Sequence, residues 1–326
     1  MALIILTCAA TCQSAAPVPT PTPALATAAP LVNARPTQLR GVATRPPTET
    51  PTPLEDPFAV HATPLDAPPP ATLDPSLLTQ VALPTAALPG DTIVIGRSVQ
   101  GRALLARRIG TGERIILLAG GMHGGWEANT VALVNELIAH FASTPGDLPS
   151  DVSLVLVPVV NPDGLFYGRT PEGRFNANAV DLNRNWGCGW QDEAYWREMR
   201  VSPGQFAFSE PETAALSDYI QQIRPQVAIF YHSAAGGVYA GSCEQSIYGA
   251  RGAEASNAMS AVYGAAANYR YGEEFDAYPV TGTAAGWAAG LGIAAADVEL
   301  QTWTQPEFER NLAAVRAVIA WVAQAA

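Results

Sequence analysis

Residues Arg114–Phe141 read RIILLAGGMHGGWEANTVALVNELIAHF. An unbroken apolar run, a glycine-rich turn and a helical apolar repeat follow one another. The run IILLA is rich in branched residues and bounded by Gly-Gly, which fits a strand buried on both faces. After Glu127, the residues Val131, Leu133, Val134, Leu137 and Ile138 share one helical face, so a helix is expected from Glu127 to about Phe141. Strand, turn and helix in that order form the repeating unit of an α/β sheet.

Other segments extend the pattern. Ser153–Val160 (SLVLVPVV) is an apolar strand stopped by NPDG, and Val227–Tyr231 and Ile293–Leu300 are two more. Thr92–Ile95 and Arg102–Ile109, joined by SVQG, read as an edge hairpin. Pro211–Ile223 reads as a helix, with Ser209 as N-cap and Glu212 as the capping-box acid, and a last helix runs from Asn311 to the end of the chain. The expected fold is α/β: one α/β/α sandwich over residues 90–326 with a mixed, mostly buried central sheet.

Upstream, the composition changes. The first 90 residues hold 18 of the 28 prolines and 2 of the 28 glycines, so neither a helix nor a central strand is sustained there. Residues 13–89 read as a disordered Pro/Thr/Ala-rich linker, either a polyproline-like spacer or disorder without a role. Residues 1–12, MALIILTCAATC, resemble the end of a signal peptide or a lipoprotein leader, with a lipid on Cys12 or, as second choice, Cys8. That leader implies an extracytoplasmic protein, secreted or lipid-anchored at a bacterial cell surface. No stretch has the length of a transmembrane helix. All 18 basic residues are arginines, set against 29 acids, and the net charge is −11 with no basic run. This argues against nucleic acid or an anionic membrane as partner.

Histidine is scarce: His61, His123, His140 and His232 are the full set. His61 lies in the linker, and His140 near the end of a helix. His123 and His232 each follow a buried strand, the place where open α/β sheets bind ligands. A lone histidine there is more often structural than functional. Glu127 is the one carboxylate between Glu113 and Glu136, and two histidines with one carboxylate make a catalytic zinc set with a position left open. The bland alternative for Glu127 is helix stabilisation by its charge. DLNRNW (Asp181–Trp186) carries an arginine suited to bind a carboxylate through two parallel hydrogen bonds. Asp297 and Glu299 point the same way from one apolar strand, which either serves a reaction or marks the strand's exit into solvent.

Taken in order, GRSVQGR, GGMHGGWE, VNPDG, DLNRNW, SEPET, FYHS and VEL resemble the motifs of the zinc carboxypeptidase family, of the carboxypeptidase A and B type, in a bacterial form whose zinc motif is HxxxE. The resemblance runs from about Thr92 to Val322. It implies one Zn2+ per chain, held by His123, Glu127 and His232. It implies that Asn183 and Arg184 hold a terminal carboxylate, that Glu299 is the general base for a zinc-activated water, and that Tyr278 closes over the substrate. Arg174, or alternatively Arg169, would polarise the scissile carbonyl. Cys188 and Cys243 are expected to form a disulfide at the cleft wall, as suits an exported domain. The pocket floor falls at Thr283–Gly286, which holds no acid, while Glu274 and Asp276 are assigned to the rim. The implied activity is a metallocarboxypeptidase, acting as a monomer on a peptide with a free C-terminus. A zinc amidase acting on peptidoglycan stem peptides of the γ-glutamyl-diaminopimelate type is the alternative, and an inactive surface-binding domain the third reading.

Overall fold

Strand alternation sorts the apolar residues of this chain onto two faces of one sheet. The computed structural model describes residues 92–273 and 275–324. The expected leader with Cys8 and Cys12, the linker with His61, and Glu274 lie outside the described residues. The strands are β1 (Thr92–Arg97), β2 (Ala103–Ile109), β3 (Arg114–Ala119), β4 (Val152–Val157), β5 (Ala194–Trp196), β6 (Met199–Val201), β7 (Val227–Ser233), β8 (Gly237–Ala240), β9 (Arg270–Tyr271) and β10 (Ala294–Leu300). Eight of them form a mixed sheet in the order β1-β2-β4-β3-β7-β10-β8-β9, and β5 pairs with β6 in a separate ribbon. The central strands β4, β3, β7 and β10 run parallel, with β2 and β8 antiparallel at their flanks.

Helices cover both faces, as a mostly parallel sheet requires. On one face α1 (Ala128–Ser143), α3 (Gly249–Ala267) and α5 (Phe308–Gln324) bury Leu133, Leu137, Phe141, Met259, Tyr263, Val315 and Val318 against Ile116, Leu118, Leu154 and Ile229. On the other, α2 (Pro211–Ile223) and α4 (Ala284–Gly290) bury Leu216, Ile220 and Ala288 with Trp186 against Leu117, Val155, Ala228 and Phe230. Alternation then places His232 on the second face, in step with Ala228 and Phe230. On β10 it places Asp297 and Glu299 in step with Ala295 on that same face. The parallel register pairs Glu299 with His232, so neighbouring strands deliver them side by side.

Three expectations need correction. The strand predicted over Ser153–Val160 stops at Val157, because Pro158 has no N–H to donate. The N-cap of α2 is Glu210 and not Ser209, whose hydroxyl donates to Glu210 Oε1 at 2.8 Å. Glu212 does not close a capping box: Oε1 accepts from Val99 N at 3.1 Å and Oε2 from Asn176 Nδ2 at 3.1 Å, holding the hairpin loop to the site segment. The sequence reading also passed over β5, β6, β8, β9, α3 and α4. α3 is GARGAEASNAMSAVYGAAA, where alanines and glycines on every side blur the apolar face.

Candidate active site

β3 ends at Ala119 and the chain turns through two Gly-Gly pairs into α1. Gly124 has φ +40°, and a Cβ there would stand 2.6 Å from the backbone of Gly164 and Leu165, so a side chain does not fit. The turn closes with Glu127 N donating to His123 O at 3.4 Å. His123 and Glu127 are therefore one helical turn apart, on one side of the chain, and the HxxxE spacing brings the two together. His123 Nδ1 lies 2.9 Å from Glu127 Oε1, and His232 Nδ1 lies 3.1 Å from Glu127 Oε2 and 3.3 Å from His123 Nδ1. All three side chains are buried, and their donor atoms lie within 4.8 Å of one another.

The histidines' far nitrogens test whether the trio fits a metal. His123 Nε2 faces Asp181 Oδ1 at 3.1 Å, and His232 Nε2 faces Asp297 Oδ1 at 3.4 Å. Asp297 Oδ1 is a buried oxygen with no other hydrogen-bond partner among the described residues, so the His232 Nε2–H is its natural donor. With a metal in place, a carboxylate behind each ring would keep the proton on Nε2 and turn the Nδ1 lone pairs toward the ion beside Glu127. Two imidazoles and one carboxylate converging in this way fit Zn2+. Burial works to raise the Glu127 pKa, but His123 and His232 together hold that carboxyl below the usual range. Burial likewise opposes ionisation of Asp181, and Arg174, Arg184 and His123 outweigh it. For His232, burial lowers the pKa while Asp297 and Glu127 raise it, with a net shift well upward. A metal binding there would displace a proton, and its binding would weaken as pH falls.

The remaining predicted residues line the same cleft of about 1070 Å³. Glu299 Oε2 accepts from Ala235 N at 3.2 Å. Burial, then the Glu127 charge, push its carboxyl up to about 7 in the metal-free protein, against the pull of His232. Arg174 donates through Nε and Nη2 to Asp181 Oδ2 at 3.1 and 2.7 Å and stacks on Trp196 at 4.5 Å, with Nη1 3.3 Å from His123 Nδ1. Arg169 is instead exposed, lies 4.7 Å from Trp303 and 5.6 Å from Trp126, and does not line the cleft, so of these two arginines Arg174 is the one at the site. Arg184 uses Nε and Nη2 on Tyr195 O and Nη1 on Asn183 O, which leaves one hydrogen on each terminal nitrogen without a protein partner among the described residues. Asn183 Oδ1 accepts from Ala284 N at 3.0 Å, and its Nδ2 lies 3.3 Å from His232 Nε2. Tyr278 is half-buried, stacked edge-on with Phe275 at 5.0 Å, and burial pushes its phenol up against the pull of Arg184.

Cys188 and Cys243 are joined by a disulfide, and both line the cleft. Thr283, Ala285 and Gly286 line it as well, whereas Asp276 does not. The sequence reading assigned no role to Asp181, and left Asp297 between serving a reaction and marking the strand's exit into solvent. It also missed the acids that reach the cleft from other segments: Glu198, Glu244 and Glu273. The only signal for the first two was their place in motifs already singled out. The other three come from loops whose approach depends on tertiary packing.

The zinc carboxypeptidase model of the peptidase M14 family matches residues 90–310, more than half of the chain. A zinc carboxypeptidase of Simulium vittatum is 26% identical over 225 residues, covering 61% of this chain and 73% of that protein. The murein peptide amidase A of Escherichia coli K12 is 34% identical over 158 residues, covering 45% of this chain and 60% of that protein. The structure of bovine thrombin-activatable fibrinolysis inhibitor, solved with tick carboxypeptidase inhibitor, matches with a TM-score of 0.60 at 21% identity, over 72% of this chain and 90% of that one. At that identity the likeness is one of fold. A family match running from just before the first strand into the last helix leaves one assignment: this chain belongs to the zinc carboxypeptidase family, and its chemistry is that of a metallocarboxypeptidase hydrolase.

Proposed function

We propose that the protein hydrolyses the peptide bond next to a free C-terminal carboxylate, with one Zn2+ held by His123, Glu127 and His232. The observation that carries this reading is the pair of unused Arg184 hydrogens in the same cleft as the two histidines and Glu299. Zinc bound there supplies Lewis acidity and a nucleophile at neutral pH. The protein's own groups do the rest. Glu299 takes a proton from the attacking water and returns it to the leaving amine nitrogen. Arg174, fixed by Asp181 and Trp196, offers Nη1 to the developing negative charge on the carbonyl oxygen. Arg184, with the Asn183 amide, holds the carboxylate in a two-pronged geometry. Tyr278 covers the terminal residue from the opposite loop. The disulfide suits an oxidising, extracytoplasmic setting.

A peptide panel with free and amidated C-termini tests this. Free ends should be cut at least about 100-fold faster, the scale of a lost charge-assisted bidentate pair; equal rates would remove Arg184 as a carboxylate clamp. A second reading, an amidase acting on peptidoglycan stem peptides, draws support from the 34% identity to a murein peptide amidase and from a floor of small neutral residues. Cleavage of γ-glutamyl-diaminopimelate peptides in preference to ordinary dipeptide ends would select it.

A further inference from the structure

The strand that carries Glu299 ends at Leu300, and the turn that follows exposes Gln301, Thr302, Thr304 and Gln305. Its backbone is nevertheless gripped from two sides. On one side the buried Asn129 amide donates to Thr302 O at 2.7 Å and Gln305 O at 3.1 Å, while its Oδ1 accepts from Ser233 Oγ at 2.9 Å. Only this orientation of the amide satisfies all three partners. On the other side Glu307 Oε1 accepts from Gln301 N at 2.8 Å and Thr302 N at 3.0 Å, and Oε2 accepts from the Tyr269 hydroxyl at 2.5 Å. Glu307 holds φ +53°, a conformation uncommon outside glycine, which turns its carboxylate back onto the turn.

The sequence positions of these partners matter. Asn129 stands two residues after Glu127, Ser233 directly after His232, and Gln301 two residues after Glu299. One buried amide therefore joins the segments of two metal-holding side chains to the segment of the base. The β7–β10 pairing sets Glu299 beside His232, and the Asn129 tie joins the turn that ends its strand to the segment of Glu127.

We propose that Asn129 is a positioning residue that, together with Glu307, fixes Glu299 against the metal-holding side chains; this rests on the reading of Glu299 as base. Proton transfer needs heavy atoms within hydrogen-bond reach, and misplacement by about an ångström costs roughly 100-fold in rate. Asn129→Asp keeps the acceptor for Ser233 but turns an oxygen toward two carbonyl oxygens. The expected result is a fall in kcat of about 10- to 100-fold with KM within about twofold and one zinc per chain retained. Amide hydrogen exchange across 301–305 should speed up in the same zinc-loaded variant. Glu307→Ala should behave alike, and Glu307→Gln, whose Oε1 still accepts both N–H groups, should recover most of kcat. This second pair decides the matter if Asn129→Asp does not fold. Unchanged exchange at 301–305, or a fall in kcat matched by zinc loss or a rise in KM, overturns the proposal. A wild-type protein without peptidase turnover, run alongside, counts instead against the proposed function, and the exchange result stands apart from it.

Discussion

His123 and Glu127 sit in the turn from β3 into α1 and His232 near the end of β7, and none is more than 4% exposed. Tyr278 comes from the irregular run between β9 and α4 and shares the cleft with exposed Glu244 and Glu273. The candidate metal half is held by central strands, by a carboxylate behind each histidine (Asp181 buried, Asp297 partly so), and by glycine turns packed backbone to backbone. The substrate half rests on loops, with the Cys188–Cys243 disulfide as its staple. The contrast teaches where each property resides. On the proposed function, chemistry is assigned to side chains carried by the sheet and selectivity to segments with fewer ties.

Substitutions that separate the two halves should differ in size and in kind. The largest effect belongs to Glu299→Gln. It should keep one zinc per chain and lose about 1,000- to 10,000-fold in kcat, because the group that moves the proton is gone; an active variant would show that the base is misassigned. The same substitution has a pH signature without metal. The folded protein binds more protons than the unfolded chain between the ordinary glutamate value and about 7, so stability falls as pH rises across that window. Glu299→Gln should flatten that slope in thermal melts.

A smaller effect, confined to the metal half, is expected of Asp181→Asn. The amide has one oxygen for donors on two sides and no charge to set against Arg174, so it cannot accept from both His123 and Arg174, and zinc affinity should fall about 10- to 100-fold, read by competition with a chelator. Affinity equal to wild type would mean that His123 needs no orientation from Asp181. The smallest effect is expected in the substrate half. Tyr278→Phe keeps the ring against Phe275 and loses one hydroxyl, so KM should rise less than about 10-fold with zinc binding intact. A loss as large as that of Glu299→Gln would erase the contrast between the halves.

Much of the metal half was legible in the amino-acid sequence. IILLA, SLVLVPVV, VAIFY and IAAADVEL are apolar enough to be read as central strands, and the scarcity of histidine left His123 and His232 as the natural pair. Glycine signalled that the chain after β3 turns tightly. The substrate half was less legible for a physical reason. β8, β9 and α4 are short, and α3 is so rich in alanine and glycine that no periodicity stands out. Glu244 reaches the cleft through the placement of these elements, and no local pattern announces it. Asn129 was invisible for a related reason: an asparagine in the first turn of a helix reads as surface, and its partners at Thr302, Gln305 and Ser233 lie more than 100 residues away.

The central claim is that His123, Glu127 and His232 form one zinc site. Metal content of the purified protein after zinc loading and dialysis, compared with His232→Ala, tests it most directly. One zinc per chain in the wild type and none in the variant is the result that this site requires. A wild type without zinc, or a variant that keeps its full complement, would contradict it.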